Sequence, residues 1–144
     1  MAAPLYNTTI LRLATSIPHQ QRLADPDASV ERRSPVCGSR VTVDVRVDSD
    51  GRVAALGQEV RACALGQASA ALMGAHAIGR SAAELAAARD ALTDFLAGAR
   101  DDPGDWPGLD IFGPARPHSA RHASIRLAFE AVAEAAALAT RPDR

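Results

Sequence analysis

Val41-Thr42-Val43-Asp44-Val45-Arg46-Val47 alternates valine with polar or charged residues without a break, and Asp48-Ser49-Asp50-Gly51 follows at once. Period-two alternation of a β-branched residue marks a half-buried strand, with the valines toward a core and Thr42, Asp44 and Arg46 facing outward. Asp48 to Gly51 reads as a tight turn in which Gly51 takes positive φ. Arg52 to Ala62 then returns antiparallel; its alternation is weaker, and Gly57 reads as a bulge. Upstream, Ser29 to Ser34 has the spacing of an edge strand around Val30. The expected sheet is small, three-stranded and antiparallel.

Helical periodicity surrounds this hairpin. Leu5 to Ile17 places Tyr6, Thr9, Ile10, Leu13 and Ile17 on one face, and Pro18 stops it. Ala64 to Ile78 is the next helix, closed by Gly79. Ser81-Ala82-Ala83-Glu84 has the form of a capping box, opening a helix that runs to Ala97 before Gly98. Ala99 to His118 is rich in proline and glycine and reads as a long loop anchored by Trp106, Leu109, Ile111 and Phe112. A last helix runs from near Ser119 to about Ala139. Strands first and helices after predict an α+β fold, helices on one face of the sheet. A chain of 144 residues without internal repeats is expected to form a single domain, residues 1–144.

Apolar residues make up 47% of the chain but aromatics only 3%, so the core must be built from Ala, Leu and Val. Arginine supplies all the basic side chains, and the formal charge is −1. That balance, with no basic run, argues against nucleic acid as a partner. With neither a leader-like segment nor a long apolar stretch, the expectation is a cytoplasmic protein without a membrane partner.

The chain has two cysteines, Cys37 and Cys63, at the ends of strands joined by the hairpin. In a reducing compartment, metal or sulfur chemistry is favoured over a structural disulfide. Cys63 falls at or just before a helix N-terminus, where the partial positive charge favours thiolate. Thiolates suit zinc and iron–sulfur clusters. Spacing alone equally allows two small buried apolar side chains. A metal would need further ligands, and His122, in the first turn of the last helix, is the natural candidate; His118 lies one turn earlier. His118, His19 and His76 read as solvated or loosely packed. Arg40 and Arg121 flank the site, either holding a thiolate or persulfide by charge or simply lying in solvent.

Pro35-Val36-Cys37-Gly38-Ser39-Arg40 resembles the Pro-x-Cys-Gly-Asp-Arg motif of the U-type iron–sulfur cluster assembly scaffolds, the IscU, SufU and NifU N-terminal family. Cys63 to Met73, with Ala68-Ser69-Ala70 inside it, is similar to that family's second-cysteine segment. Leu5-Tyr6 and Pro18 match its N-terminal helix, and Ser124 to Val132 resembles the segment that begins at its third cysteine. The long preceding loop is nearest the SufU branch. The resemblance implies a scaffold or sulfur carrier rather than an enzyme, with a zinc-dependent sulfurtransferase standing between. It implies a [2Fe–2S] cluster or Zn2+ as cargo. It implies a cysteine desulfurase and apo iron–sulfur client proteins as partners, and leaves a homodimer open.

The ligand set departs from the family pattern. Three cysteines and an aspartate hold the metal there; here Cys37 and Cys63 keep two positions, Ser39 stands for the aspartate and Ser124 for the third cysteine. The resemblance thus implies metal ligands Cys37, Cys63 and His122, with Ser39 and Ser124 as weak ones. Cys63 and Cys37 become the candidate sulfur acceptors. The chaperone motif of IscU-type scaffolds, Leu-Pro-Pro-Val-Lys, has no counterpart. Two functions follow: a scaffold that accepts sulfur and binds metal, or an adaptor of the same fold that binds the desulfurase and holds no cluster.

Overall fold

The computed structural model describes residues 5–35 and 38–141. The fold is α+β, as the sequence predicts. Its order is α1 (Thr8–Ala14), β1 (Ala28–Arg33), β2 (Arg40–Val47), β3 (Val53–Arg61), α2 (Ala64–His76), α3 (Ala82–Leu96) and α4 (His122–Ala139). Two 3₁₀ helices, Leu109–Ala115 and Ser119–Arg121, lie in the last connection. The three strands form one antiparallel sheet in the order β1-β2-β3. No helix among the described residues is long and apolar enough to cross a membrane.

Val41, Val43 and Val45 are fully buried on the sheet face that carries the helices. α4 packs on β1 and β2 and is flanked by α2 and α3. Because it is enclosed on most sides, α4 is apolar nearly all round: Ile125, Ala128, Phe129, Ala131, Val132, Ala135 and Ala136 are all buried. Small alanines let the helices approach closely, which is how a core with few aromatics fills its volume. Ser81 and Glu84 form the expected capping box, each side chain bonding the other's backbone N–H. The N-terminal helix is shorter than its periodicity suggests. Asn7 caps it by accepting from Ile10 N at 2.9 Å, and Ile10 alone within it is buried, while Tyr6 remains exposed.

The 99–118 connection is anchored as expected. The Trp106 indole N–H donates to Leu72 O at 2.9 Å, its ring meets Phe129 edge-on, and Leu109 and Phe112 are fully buried.

The outer face of the sheet departs from expectation. Thr42 and Asp44 do point away from the helices, but both are buried, Asp44 completely. The segment from His19 to Asp27 folds back across that face. Arg22 donates to Asp44 from Nε at 2.7 Å and from Nη2 at 3.1 Å, and Leu23 N donates at 2.9 Å. The Ser29 hydroxyl donates to the same carboxylate. Gly57, opposite Asp44, is not a bulge. A Cβ there would stand 2.4 Å from Gln21 O, so glycine is what admits the crossing segment. The register shift lies instead at Arg46–Val47, opposite Ala55 and Val53.

Candidate functional site

Three elements meet at the end of the sheet where β3 runs into α2. Cys63 is the N-cap residue of α2, with extended backbone and no side-chain capping bond, so its sulfur is not committed to the helix. Ser39 immediately precedes β2; its carbonyl accepts from Ser34 N at 2.8 Å, which closes the β1–β2 turn. Gly38, at φ +72°, supplies the left-handed backbone that this turn needs. Ser124 lies in the first turn of α4, pointing inward and 2% exposed.

Ser124 is the centre of the arrangement. Its Oγ is 3.2 Å from Ser39 Oγ and 3.2 Å from Cys63 Sγ. The approach of α4 to α2 depends on Gly66, where a Cβ would stand 2.7 Å from Ser124 Oγ. Ser69, in the Ala-Ser-Ala stretch, fixes the same crossing by donating to Ile125 O at 2.6 Å. Neither Gly66 nor Ser69 is identifiable from the sequence as a site-shaping residue, because their role exists only once two helices cross. Cys63 is a free, half-buried thiol, while Ser39 and Ser124 are both buried. The site is therefore a sulfur backed by two hydroxyls. Cys37 and Val36 lie outside the described residues.

His122 is brought to the same end of α4 and is 9% exposed, with one ring nitrogen taken up by backbone carbonyls. Nε2 is 2.9 Å from Ala115 O and 3.0 Å from Arg116 O. Both partners are acceptors, so Nε2 carries the proton and donates, and Nδ1 is the nitrogen with a lone pair. His122 thus ties the first 3₁₀ helix to the start of α4, and only Nδ1 is left for a metal. Among the described residues, no three of His, Cys, Asp and Glu are grouped to hold a metal ion. His118 is exposed, and His76 stands edge-on to Trp106. Arg40 points to the outer face of the sheet, with its Nε 3.7 Å from Glu31 Oε1. Arg121 is exposed on the short turn before α4.

Models of protein families give no match to this chain. The curated proteins give none either. Solved structures do. A nitrogen-fixing NifU-like protein (N-terminal) from Brucella abortus is 41% identical, with a TM-score of 0.87 over 93% of this chain and 93% of that one. A protein described as an iron–sulfur cluster assembly scaffold for the SUF system, from Fervidobacterium islandicum, is 18% identical with a TM-score of 0.84 over 92% of this chain and 96% of its own, and shows the shared fold. Four-tenths identity across nearly the whole of both chains, on the same arrangement of sheet and helices, places this chain in the family of NifU-like N-terminal domains.

Proposed function

We propose that this protein acts in iron–sulfur cluster assembly, as a scaffold-like protein. It takes sulfur from a cysteine desulfurase, holds iron, zinc or a nascent [2Fe–2S] cluster as cargo through Cys37 and Cys63, and passes it to apo client proteins. One observation carries this reading. Cys63, Ser39 and Ser124, which stand at three of the four positions that hold metal in U-type scaffolds, meet within 3.2 Å contacts although they come from different parts of the chain.

The sulfur step needs only groups that the site supplies and a protein persulfide from the desulfurase. The Cys63 thiolate attacks the outer sulfur of that persulfide. A new S–S bond forms at Cys63, the donor's S–S bond breaks, and the donor cysteine leaves as thiolate. No net oxidation occurs. The Ser124 hydroxyl, at 3.2 Å, is placed to donate to the Cys63 sulfur while it carries negative charge.

The donor set fits the metal cargo only in part. Cys37 and Cys63 are soft thiolates suited to zinc and iron. Ser39 and Ser124 offer hydroxyl oxygens, weaker donors than carboxylate and thiolate, and these bond each other. His122 offers Nδ1. The serine pair and the carbonyl bonds of His122 also favour a second reading, an adaptor of the same fold that binds the desulfurase and holds no cluster.

Metal and acid-labile sulfide per chain, measured after expression with iron and sulfide, separate the two. A scaffold takes up metal that Cys63→Ala abolishes. An adaptor takes up none until Ser39→Asp and Ser124→Cys are introduced together, which supply a carboxylate and a thiolate at positions the fold already aims. If neither the parent nor the double variant binds metal, and the parent does not bind the desulfurase, both readings fail.

A further inference from the structure

The outer face of the sheet carries, at the same end as Cys63 and Ser39, a row of three arginines in register. Arg33 pairs with Arg40 and Arg40 pairs with Arg61, one from each strand. All three point away from the helices, since Val41 and Val60, one residue along β2 and β3, lie on the helix side, and so does Arg32 of β1, which reaches Glu130 and Glu134 on α4. Cross-strand neighbours stand about 5 Å apart at Cβ, and like charges directly opposite one another destabilise a sheet. The next row inward, Glu31, Thr42 and Glu59, shows that the fold itself does not demand arginine on this face.

That acidic row does not neutralise the arginines. Glu31 is shared, 2.9 Å from Arg33 and 3.7 Å from Arg40. Arg61 is exposed and has no carboxylate partner among the described residues. Glu59 is the other carboxylate of the acidic row, so two glutamates stand against three arginines, and both also act on Arg22, whose guanidinium is held by Asp44. At the motif's aspartate position, beside this row, stands the uncharged Ser39. This end of the sheet therefore carries unneutralised positive charge on a chain whose formal charge is −1.

We infer that the Arg33–Arg40–Arg61 row is a docking surface for a carboxylate-rich protein segment, which it steers to the edge of the Cys63 site. The row spans two strand spacings, about 10 Å, which matches a few side chains of an extended acidic peptide. It has no aromatic side chain within it on which a base could stack, and the chain's charge balance argues against a phosphate backbone. The surface does not depend on whether the site holds a cluster. Its link to the sulfur donor rests on the function proposed above.

The test measures binding of a fluorescein-labelled polyglutamate peptide, and separately of the cognate cysteine desulfurase, to the full chain and to Arg33→Gln, Arg40→Gln and Arg61→Gln variants. Polyglutamate binding should weaken by about twofold to fivefold for each arginine removed, the worth of an exposed charge pair. It should also fall with added salt as the Debye length shortens. The thermal midpoint of Arg61→Gln, which loses no ion pair, should stay level or rise, because removing one of three adjacent like charges relieves repulsion; a merely structural row would lower it. A single-stranded oligonucleotide of equal charge should bind more weakly than polyglutamate. The inference is overturned if polyglutamate does not bind, if it binds equally well to all variants, or if the oligonucleotide binds as tightly. Desulfurase binding that is insensitive to the arginines removes this surface while leaving the proposed function standing. Polyglutamate binding that tracks the arginines, with no desulfurase binding at all, does the reverse.

Discussion

Replacing Asp44 by Asn tests how the sheet's outer face is held. The carboxylate is fully buried and accepts from Arg22 Nε at 2.7 Å, Arg22 Nη2 at 3.1 Å, Leu23 N at 2.9 Å and the Ser29 hydroxyl. Asparagine keeps the shape but removes the charge and turns an NH2 group toward donors. Losing one partner of a buried ion pair costs about 3–5 kcal/mol. The Arg22 side chain is 49% exposed and recovers water, so the expected loss is smaller, about 2–3 kcal/mol. For a chain of this size that corresponds to a fall in thermal midpoint of roughly 6–9 °C.

The pH dependence of that loss follows from the same contacts. Burial pushes the Asp44 carboxyl up, but the Arg22, Ser29 and Leu23 hydrogen bonds and the Arg22 charge outweigh it and hold the group below its ordinary value. A depressed folded-state value adds stability that is fully present above the unfolded value, about 3.9, and is lost as pH falls through the folded one. The gap between parent and Asp44→Asn, read from urea unfolding followed by circular dichroism, should therefore be constant at neutral pH and close below about pH 4. Glu31, Glu84 and Asp102 are held low as well, chiefly by the Arg33 side chain, the Ser81 backbone and the Gly104 backbone, and their contribution cancels between the two proteins. A variant as stable as the parent at pH 7, or a gap that persists undiminished at pH 2, contradicts the role given to Asp44.

Gly57→Ala should cost at least about 2 kcal/mol, because its Cβ would meet backbone atoms, Gln21 O at 2.4 Å and Leu23 N at 3.0 Å, that cannot swing aside. A thermal midpoint equal to the parent's would show that the 19–27 segment is not packed there. His122→Ala leaves the Ala115 and Arg116 carbonyls without their donor and should lower stability by about 1–3 kcal/mol whether or not metal is present. Loss of metal content at unchanged apo-protein stability would instead make His122 a ligand and not a tether. Val45→Asp, which puts an unpaired charge at a fully buried position, should prevent the soluble fold, and a cooperative unfolding transition like the parent's would refute the facing of β2.

The sequence by itself determined the strand from Val41 to Val47, the turn at Gly51, the capping box at Ser81 and the anchoring of the long loop by Trp106. The first three rest on local periodicity or on a residue's own conformational preference, which act within a few neighbours, and Trp106 stands out as a large apolar side chain in a stretch rich in proline and glycine. Likeness of motif carried the family and the candidate thiols. What only tertiary structure decided is which polar groups are buried and what they face. Asp44 looks like an outward strand residue until the segment carrying Arg22 crosses it, and Gly57 looks like a bulge until the same segment needs the space. That His122 also ties the long connection to α4 shows only once Ala115 and Arg116 bring their carbonyls to its Nε2. Ser124 reads only as a weak ligand at the third-cysteine position until Gly66 lets α4 approach α2, which puts its hydroxyl between Ser39 and Cys63. Most of these contacts join residues far apart in the chain, and hydrogen bonding and close packing depend on distances that no local pattern encodes.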